Sequence, residues 1–192
     1  KRQQYSGAYG EKNERRNKMK HLRKQIAGYL LTLILLMAGI VFPGSGEKVL
    51  ASGGSMTVHF LDVGQGLSIL VQSEGQNLLY DGGPRSASSY VVSYLQEQNV
   101  SEIDYLISSH YDEDHVSGLI GCLNAFQVDN VIGADYIHDS SLYGSFMDAV
   151  AAHGLEVQHP AVGAEYTFGS GEFTILSPKE ISKESNANSV AI

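Results

Sequence analysis

A mostly apolar segment followed at once by metal-binding residue types constrains this chain more than any other feature. The segment from residue 103 to residue 107 is typical of a buried strand, and Ser-His-Tyr-Asp-Glu-Asp-His follows at positions 109–115. Side chains two positions apart in extended backbone point to the same side, so the first His and both Asp can converge. The turn into the next helix adds the second His. Imidazole and carboxylate donors hold divalent metals with an open coordination position, which predicts half of a dinuclear metal-hydrolase site. The predicted metal ligands are His110, Asp112, Asp114 and His115.

A simpler interpretation gives the two carboxylates a structural role. Asp112 or Asp114 can cap the helix predicted from Val116 to Phe126, because short polar side chains satisfy the free N–H groups at a helix start. The histidines would then be ordinary loop residues. Capping and metal binding are compatible, and the spacing between a strand and a helix favours metal binding.

The basic residues are concentrated at the start of the chain. Nine of the thirteen Lys and Arg lie between Lys1 and Lys24, directly before a seventeen-residue apolar run, Ile26–Phe42. A basic segment followed by an apolar run of this length is typical of a secretory signal, or of a short membrane anchor. We therefore expect residues 1–51 to direct export and residues 52–55 to form a linker, with cleavage favoured over anchoring. The protein would be extracellular or anchored to the outer face of the cytoplasmic membrane, touching the membrane through the apolar run if uncleaved.

Residues 56–192 read as an α/β domain. Early hairpin strands are followed by alternating helices and strands, which predicts helices covering a sheet. The predicted strands are 56–63, 67–72, 77–80, 103–108, 128–132, 165–168 and 173–176, and the predicted helices are 86–98, 114–126 and 141–153. The last residues, 189–192, look like a strand just beginning. We therefore expect a fragment whose C-terminal half is absent.

Four segments of this domain resemble a known family. They are Phe60-Leu61-Asp62-Val63-Gly64-Gln65-Gly66, Tyr80-Asp81-Gly82-Gly83, Ser109–His115 with Gly118 shortly after, and Asn186-Ala187-Asn188-Ser189-Val190. The chain resembles the metallo-β-lactamase-fold hydrolases, and within them the extracytoplasmic hydrolase domain of ComEC-type DNA-uptake proteins. This resemblance implies an αββα sandwich, of which residues 56–192 are the N-terminal half, with the metals at one edge of the sheets.

The resemblance also implies roles for individual residues. His110 and Asp112 would hold one divalent ion, and Asp114 and His115 a second, the ions being Zn or Mn. A metal-bound hydroxide would attack the substrate, with Asp114 as the catalytic proton acceptor. The same resemblance makes Asp81 a support that orients a ligand histidine, and the residues favour a similar role for Asp62. Both are turn residues in the simpler interpretation.

The chain departs from the family pattern at several positions. Asp112 stands where many members of the wider superfamily have His, although the DNA-uptake branch also uses Asp, and Leu67 stands where that branch usually has Asp. The family's later Asp and His ligands would lie after Ile192. No role is assigned to residues outside the matching motifs, which include His138, His153, His159 and the single cysteine, Cys122.

Three functions remain open from the sequence. The first is hydrolysis of phosphodiesters, as the DNA-uptake resemblance implies. The charge argues against a nucleic-acid partner. Residues 52–192 carry eighteen acidic and three basic residues, whereas binding of nucleic-acid phosphates normally needs Lys and Arg. The second is hydrolysis of a small ester, lactam or phosphoester, which needs no basic track. The third is a non-catalytic extracellular binding module with the same fold.

Overall fold

The computed structural model describes residues 18–20 and 54–192. The chain divides between Ser52 and Gly53 into two units. In the first, residues 18–20 are helical and exposed. Apart from residues 18–20, the predicted export segment and the first residues of the predicted linker lie outside the described residues. Within the part that is described, none of the helices combines the length and the apolar character needed to cross a membrane.

A six-stranded sheet forms the centre of the second unit, with its strands in sequence order. Strands β1 to β3 pair antiparallel, whereas β3 to β6 run parallel. The strands are β1 (Met56–Phe60), β2 (Ile69–Ser73), β3 (Gln76–Tyr80), β4 (Glu102–Ile107), β5 (Gln127–Ile132) and β6 (Val157–Gln158). Parallel neighbours need crossover connections, and three helices supply them. These helices are α1 (Ser88–Glu97), α2 (Glu113–Ala125) and α3 (Ser141–Ala152).

The two faces of the sheet bury different partners. Alternate residues such as Leu79, Leu106 and Val131 pack with the helices, and all three are fully buried. On the other face, Leu78, Ile107 and Ile132 belong to a second buried cluster with Phe168. That residue ends β7 (Glu165–Phe168), which forms a hairpin with β8 (Gly171–Thr174). Burial of each such leucine or isoleucine side chain stabilises the folded state by about 1.5–3 kcal/mol.

The predicted α/β class, with helices covering a sheet, is confirmed. Strand β6 was not predicted, because two residues are too few to show a pattern. The strand predicted over residues 173–176 ends earlier, at Thr174. The strand expected at residues 189–192 is limited to one bridge between Ser177 and Ala191, after a 3-10 turn over Ser185–Asn188. The partner segment continues into Pro178, which has no N–H for a longer ladder.

The strand register places the predicted site. Tyr80, Ile107 and Ile132 are neighbours across β3, β4 and β5, so these strands end side by side. The loops that leave this edge begin at Asp81, Ser108 and Gly133. Ligands of α/β proteins commonly bind at the carboxyl ends of parallel strands, and the predicted metal ligands lie at that edge.

Candidate metal centre

The loop between β4 and α2 holds the predicted ligands in a largely buried backbone. Ser108, Ser109, His110 and Tyr111 are all 3% exposed or less. Helix α2 begins at Glu113, and Asp112 precedes it without a side-chain capping hydrogen bond. The capping role weighed for Asp112 is therefore wrong in this structure, and its carboxylate faces the histidines instead.

The Asp81 carboxylate is the centre of the hydrogen-bond network beneath these ligands. It is fully buried and accepts from the Ser109 N–H at 2.7 Å and from the Ser109 hydroxyl at 2.6 Å. His115 Nδ1 lies 2.8 Å from Asp81 Oδ2. A carboxylate only accepts, so Nδ1 carries the proton and the Nε2 lone pair of His115 is left for another partner. This is the arrangement in which a carboxylate orients a metal-binding histidine.

The same carboxylate fixes His110 through Ser109. The Ser109 hydroxyl has one proton, and Asp81 receives it, so Ser109 Oγ accepts from His110 Nδ1 at 2.9 Å. Ser189 Oγ donates to the Asn186 carbonyl and lies 3.3 Å from the same His110 Nδ1, where it also accepts. His110 Nε2 therefore carries a lone pair, and it is buried without a hydrogen-bond partner.

Burial and charge set the protonation of the two histidines in opposite directions. Burial lowers the pKa of His110, and the neighbouring His115, with ring centroids 4.1 Å apart, lowers it further against the attraction of nearby carboxylates. Burial also acts to lower the pKa of His115, but the hydrogen bond and charge of Asp81 outweigh it, so this pKa is raised. The lowered pKa of His110 favours its neutral form, which is the form that binds metals.

Asp112 contacts two imidazoles. Its Oδ2 lies 3.5 Å from His110 Nε2, and its Oδ1 lies 3.3 Å from Nε2 of His138, a residue that the sequence analysis did not assign. Asp114 Oδ2 lies 3.9 Å from His115 Nε2. Each predicted histidine ligand therefore has a predicted carboxylate ligand beside its Nε2 atom.

Divalent ions fit this donor set. His110 Nε2 and Asp112 Oδ2 face each other with no proton between them, and a cation is the partner that both atoms lack. Imidazole and carboxylate are ligands of zinc and manganese alike. Among residues 18–20 and 54–192, however, no three His, Cys, Asp or Glu side chains are grouped closely enough to hold one ion. The four predicted ligands thus stand as two His–Asp pairs.

Two glycines let helix α2 approach the loop after β3. A Cβ on Gly118 would lie 1.8 Å from the Gly82 carbonyl oxygen, and one on Gly82 would lie 2.3 Å from the Leu119 nitrogen. The close approach is fixed by two hydrogen bonds, from Gly82 N–H to the His115 carbonyl at 2.8 Å and from Gly118 N–H to the Gly83 carbonyl at 3.0 Å. Asp81 thereby reaches the histidines of the next loop.

The turn after β1 also contacts the site. A Cβ on Gly66 would lie 2.1 Å from the Asp114 carbonyl oxygen, so this turn packs on the start of α2. Asp62 is exposed and accepts the Gly64 N–H at 3.3 Å, which serves its own turn. Its support of the metal site stays a prediction.

The remaining unassigned residues lie apart from the predicted ligands. His153 Nε2 contacts the Leu123 carbonyl at 2.5 Å, and His159 Nδ1 contacts the Gly133 carbonyl at 2.9 Å. Cys122 is fully buried, and burial raises the pKa of its thiol to about 12, consistent with a packed side chain.

Sequence reasoning missed Ser189 and His138 as neighbours of the ligands. Both are far along the chain from residues 109–115, and neither belongs to a pattern that predicts a metal ligand. His138 does follow a predicted strand, and adjacency of β4 and β5 would have placed the two loops at one edge.

Comparison with known proteins identifies the family to which this chain belongs. The family model described as the metallo-beta-lactamase superfamily matches residues 61–180. The crystal structure of the metallo-beta-lactamase SMB-1 with mercaptoacetic acid aligns with 69% of this chain and 52% of its own, at a TM-score of 0.50 and 15% identity. This likeness supports the fold.

Two curated proteins are similar in sequence. Competence protein ComA of Neisseria gonorrhoeae is 38% identical over 86 residues, which is 44% of this chain and 12% of that protein. Recombination protein 2 of Haemophilus influenzae is 29% identical over 141 residues, 70% of this chain and 16% of that protein. The chain thus spans a small part of the length of both relatives.

Proposed function

Since the chain belongs to the metallo-beta-lactamase superfamily, we propose that it is an exported metal-dependent hydrolase of phosphodiesters. The observation that carries the proposal is the buried, unpartnered Nε2 of His110, whose lone pair is directed by the Asp81–Ser109 hydrogen bonds. A buried nitrogen without a partner costs about 1–3 kcal/mol, and a bound cation removes that cost.

The ligand roles follow the two His–Asp pairs. His110 and Asp112 would hold one divalent ion, and Asp114 and His115 would hold a second, either Zn or Mn. When bound, such ions lower the pKa of a water molecule toward neutrality and stabilise the negative charge that develops on the substrate. Asp81 holds the Nδ1 proton of His115 and, through Ser109, that of His110. Asp114, whose side chain is 28% exposed, accepts the proton of the attacking water.

The names of the two sequence relatives support phosphodiesters as the substrate class. One is a competence protein and the other a recombination protein, and both names point to DNA, whose backbone consists of phosphodiesters. The acidic charge of residues 52–192 argues against a long duplex bound by this region alone. We therefore propose a short single strand or a strand end as the substrate.

A second candidate function is hydrolysis of a small ester, lactam or phosphoester. The observation that favours it is the same excess of eighteen acidic over three basic residues, because a small substrate needs no basic track. A third, a non-catalytic extracellular module, is disfavoured by the oriented pairs at His110 and His115, since a binding module has no need of these tautomers.

Turnover by the metal-loaded protein separates these functions. Bis-p-nitrophenyl phosphate, single-stranded DNA and a β-lactam are offered to the unmodified protein, to His110→Ala and to the control His159→Ala. We expect cleavage of the two phosphodiesters, loss of cleavage in His110→Ala and unchanged cleavage in the control, whose side chain is 36% exposed. Cleavage of the β-lactam alone supports the second function, and binding without any cleavage supports the third.

We also propose that residues 1–51 export the domain, by a signal or by an anchor that contacts the membrane. The basic segment and the apolar run at 26–42 support this. An alkaline phosphatase fused after residue 60 is expected to be active outside the cytoplasm, and N-terminal sequencing of the mature protein distinguishes cleavage from anchoring. A fusion that is produced but has no phosphatase activity contradicts export, because this enzyme needs disulfides that do not form in the reducing cytoplasm.

A further inference from the structure

We propose that His138 is a positioning residue that holds the Asp112 carboxylate for metal binding, an inference that rests on the proposed function. His138 Nε2 lies 3.3 Å from Asp112 Oδ1, while Asp112 Oδ2 lies 3.5 Å from the buried Nε2 of His110. The two oxygens of one carboxylate thus face two different imidazoles. His138 contacts Oδ1 of the carboxylate, and Oδ2 is directed toward the lone pair of His110 Nε2.

The His138 ring is oriented by the start of helix α3. Ser140 precedes α3, and its Oγ accepts the Tyr143 N–H at 3.2 Å and lies 2.9 Å from His138 Nδ1. The contact with Asp112 requires a proton on His138 Nε2, because a carboxylate has none to give. In the neutral ring Nδ1 is then an acceptor, and the Ser140 hydroxyl supplies the proton. Each ring nitrogen therefore has one polar neighbour, Ser140 Oγ at 2.9 Å from Nδ1 and Asp112 Oδ1 at 3.3 Å from Nε2.

This proton placement is opposite to that of the predicted ligand histidines. His110 and His115 carry their protons on Nδ1 and present Nε2 lone pairs, whereas His138 presents an N–H from Nε2. An imidazole whose Nε2 is protonated does not bind a metal through that atom. The geometry thus assigns His138 to the carboxylate and not to the ion.

The loop that carries His138 is held against the ligand loop. Tyr136 Oη accepts the Tyr111 N–H at 3.2 Å and contacts Ser185 Oγ at 2.8 Å. The Tyr136 ring also lies 5.1 Å from that of Tyr111, between ring centroids. His138 follows two residues later, with its side chain 27% exposed. The contact with Asp112 is therefore built on an anchored loop, although His138 itself lies near the surface.

The metal affinity of the protein tests this role directly. Zn²⁺ and Mn²⁺ affinities are measured by competition with a chromophoric chelator for the unmodified chain, His138→Ala, His138→Gln and the control His159→Ala. Loss of a group that orients a metal ligand typically weakens metal binding about 10–100-fold, and we expect this for His138→Ala. His138→Gln should recover most of the affinity, since its amide N–H can donate to the carboxylate. His159→Ala should bind as the unmodified chain does.

A second measurement distinguishes positioning from direct ligation. In an Asp112→Ala background, His138→Ala should cause no further loss of affinity, because the carboxylate that it holds is gone. A further loss of tenfold or more would mean that His138 binds the ion itself and would overturn the proposal. Unchanged affinity in His138→Ala, or a histidine NMR spectrum with its proton on Nδ1, overturns it as well.

The result also separates this proposal from the proposed function. Metal binding that depends on His138 without turnover of any substrate contradicts the hydrolase and leaves the His138 role supported. Turnover that His138→Ala leaves unchanged, at unchanged metal affinity, contradicts the His138 role alone. Absence of metal binding by the unmodified chain overturns both.

Discussion

Replacing Asp81 by Asn tests whether one buried carboxylate sets the proton position on His115, a predicted metal ligand. The asparagine oxygen is expected to take the place that accepts the Ser109 N–H at 2.7 Å, because the amide NH₂ would there face another donor. The NH₂ group then faces His115 Nδ1, 2.8 Å from the present oxygen. Nδ1 must become an acceptor, and the His115 proton moves to Nε2. The same NH₂ group also faces Ser109 Oγ, so residue 81 no longer takes the Ser109 proton, and only Ser189 Oγ still holds the His110 proton on Nδ1.

The expected loss of metal affinity follows from one mismatched hydrogen bond. Binding through His115 Nε2 would force an N–H of His115 against the NH₂ of the substituted asparagine, which costs about 1–3 kcal/mol. That corresponds to an affinity about 5- to 150-fold lower. The free energy of unfolding of the metal-free protein should change by only about 1 kcal/mol, since the number of hydrogen bonds is nearly kept. Asn also tolerates the left-handed backbone of residue 81, at φ 57°.

Asp81→Ala is the matched comparison, because it removes all three hydrogen bonds and places an alanine at a positive φ. We expect it to lower the free energy of unfolding by several kcal/mol, at about 1.5–3 kcal/mol for each bond to the charged group. Chelator competition, urea denaturation and ¹⁵N NMR of the histidine rings measure these effects. Asp81→Asn that binds metal as tightly as the unmodified chain, or that keeps the His115 proton on Nδ1, would refute the reasoning.

The pH dependence of the same pair gives an independent check. The His115 pKa is raised in the folded protein, so its contribution to stability is fully present below about 6.5, the usual value of an unfolded histidine. This contribution disappears as the pH rises through the raised pKa. In the metal-free protein, the stability difference between the unmodified chain and Asp81→Asn should therefore shrink as the pH rises across this range. A difference that is constant or grows with pH contradicts the assigned interaction.

Three further predictions follow from burial and backbone contacts. His110→Ala should weaken metal binding at least 10-fold while circular dichroism shows an intact fold, and retained affinity would contradict its ligand role. Gly118→Ala should lower the free energy of unfolding by about 1–3 kcal/mol, because the added methyl group would clash with the Gly82 carbonyl. The control Gly144→Ala meets open space in helix α3 and should raise the free energy of unfolding by about 0.5–1 kcal/mol. Equal effects of the two substitutions in urea denaturation would contradict the contact at Gly118. Cys122 should react with Ellman's reagent at pH 8 only after denaturation, because burial holds its thiol pKa at about 12, and rapid labelling of the native protein would contradict the packing.

The sequence was sufficient for the parts of the site that are local. Residues 103–115 contain a strand, the ligand loop and the start of a helix within thirteen positions, so their order alone places the four donors near one another. The helix predicted over 141–153 is observed as Ser141–Ala152 because its apolar residues repeat at helical spacing. Periodicity and spacing within short segments were therefore enough to predict the fold class and to place the four candidate ligands between a strand and a helix.

The contacts that orient the ligands are not local, and this is why the sequence did not predict them. Ser189 approaches His110 from 79 positions away, and Tyr136 contacts residue 111 across 25 positions. His138 approaches Asp112 because β4 and β5 are parallel neighbours whose ends are in register. Strand order is a property of the whole sheet, and the sequence around a single loop histidine does not indicate it. A residue such as His138 can be predicted as a neighbour of Asp112 only once the strand order is known.

The glycines after β3 were correctly predicted as turn residues, but the sequence did not show that one of them is required by packing. Gly82 and Gly83 are typical of a turn, and Gly83 does adopt a positive φ of 70°. Gly82, however, is required by contact, since helix α2 passes so closely that neither Gly82 nor Gly118 has room for a Cβ. This contact sets the distance from the loop after β3 to His115, and hence the 2.8 Å bond from His115 to Asp81. The tautomer of His115, a predicted metal ligand, thus depends on a backbone contact between two glycines 36 positions apart, which links the turn after β3, the glycine of helix α2 and the His–Asp loop in one unit.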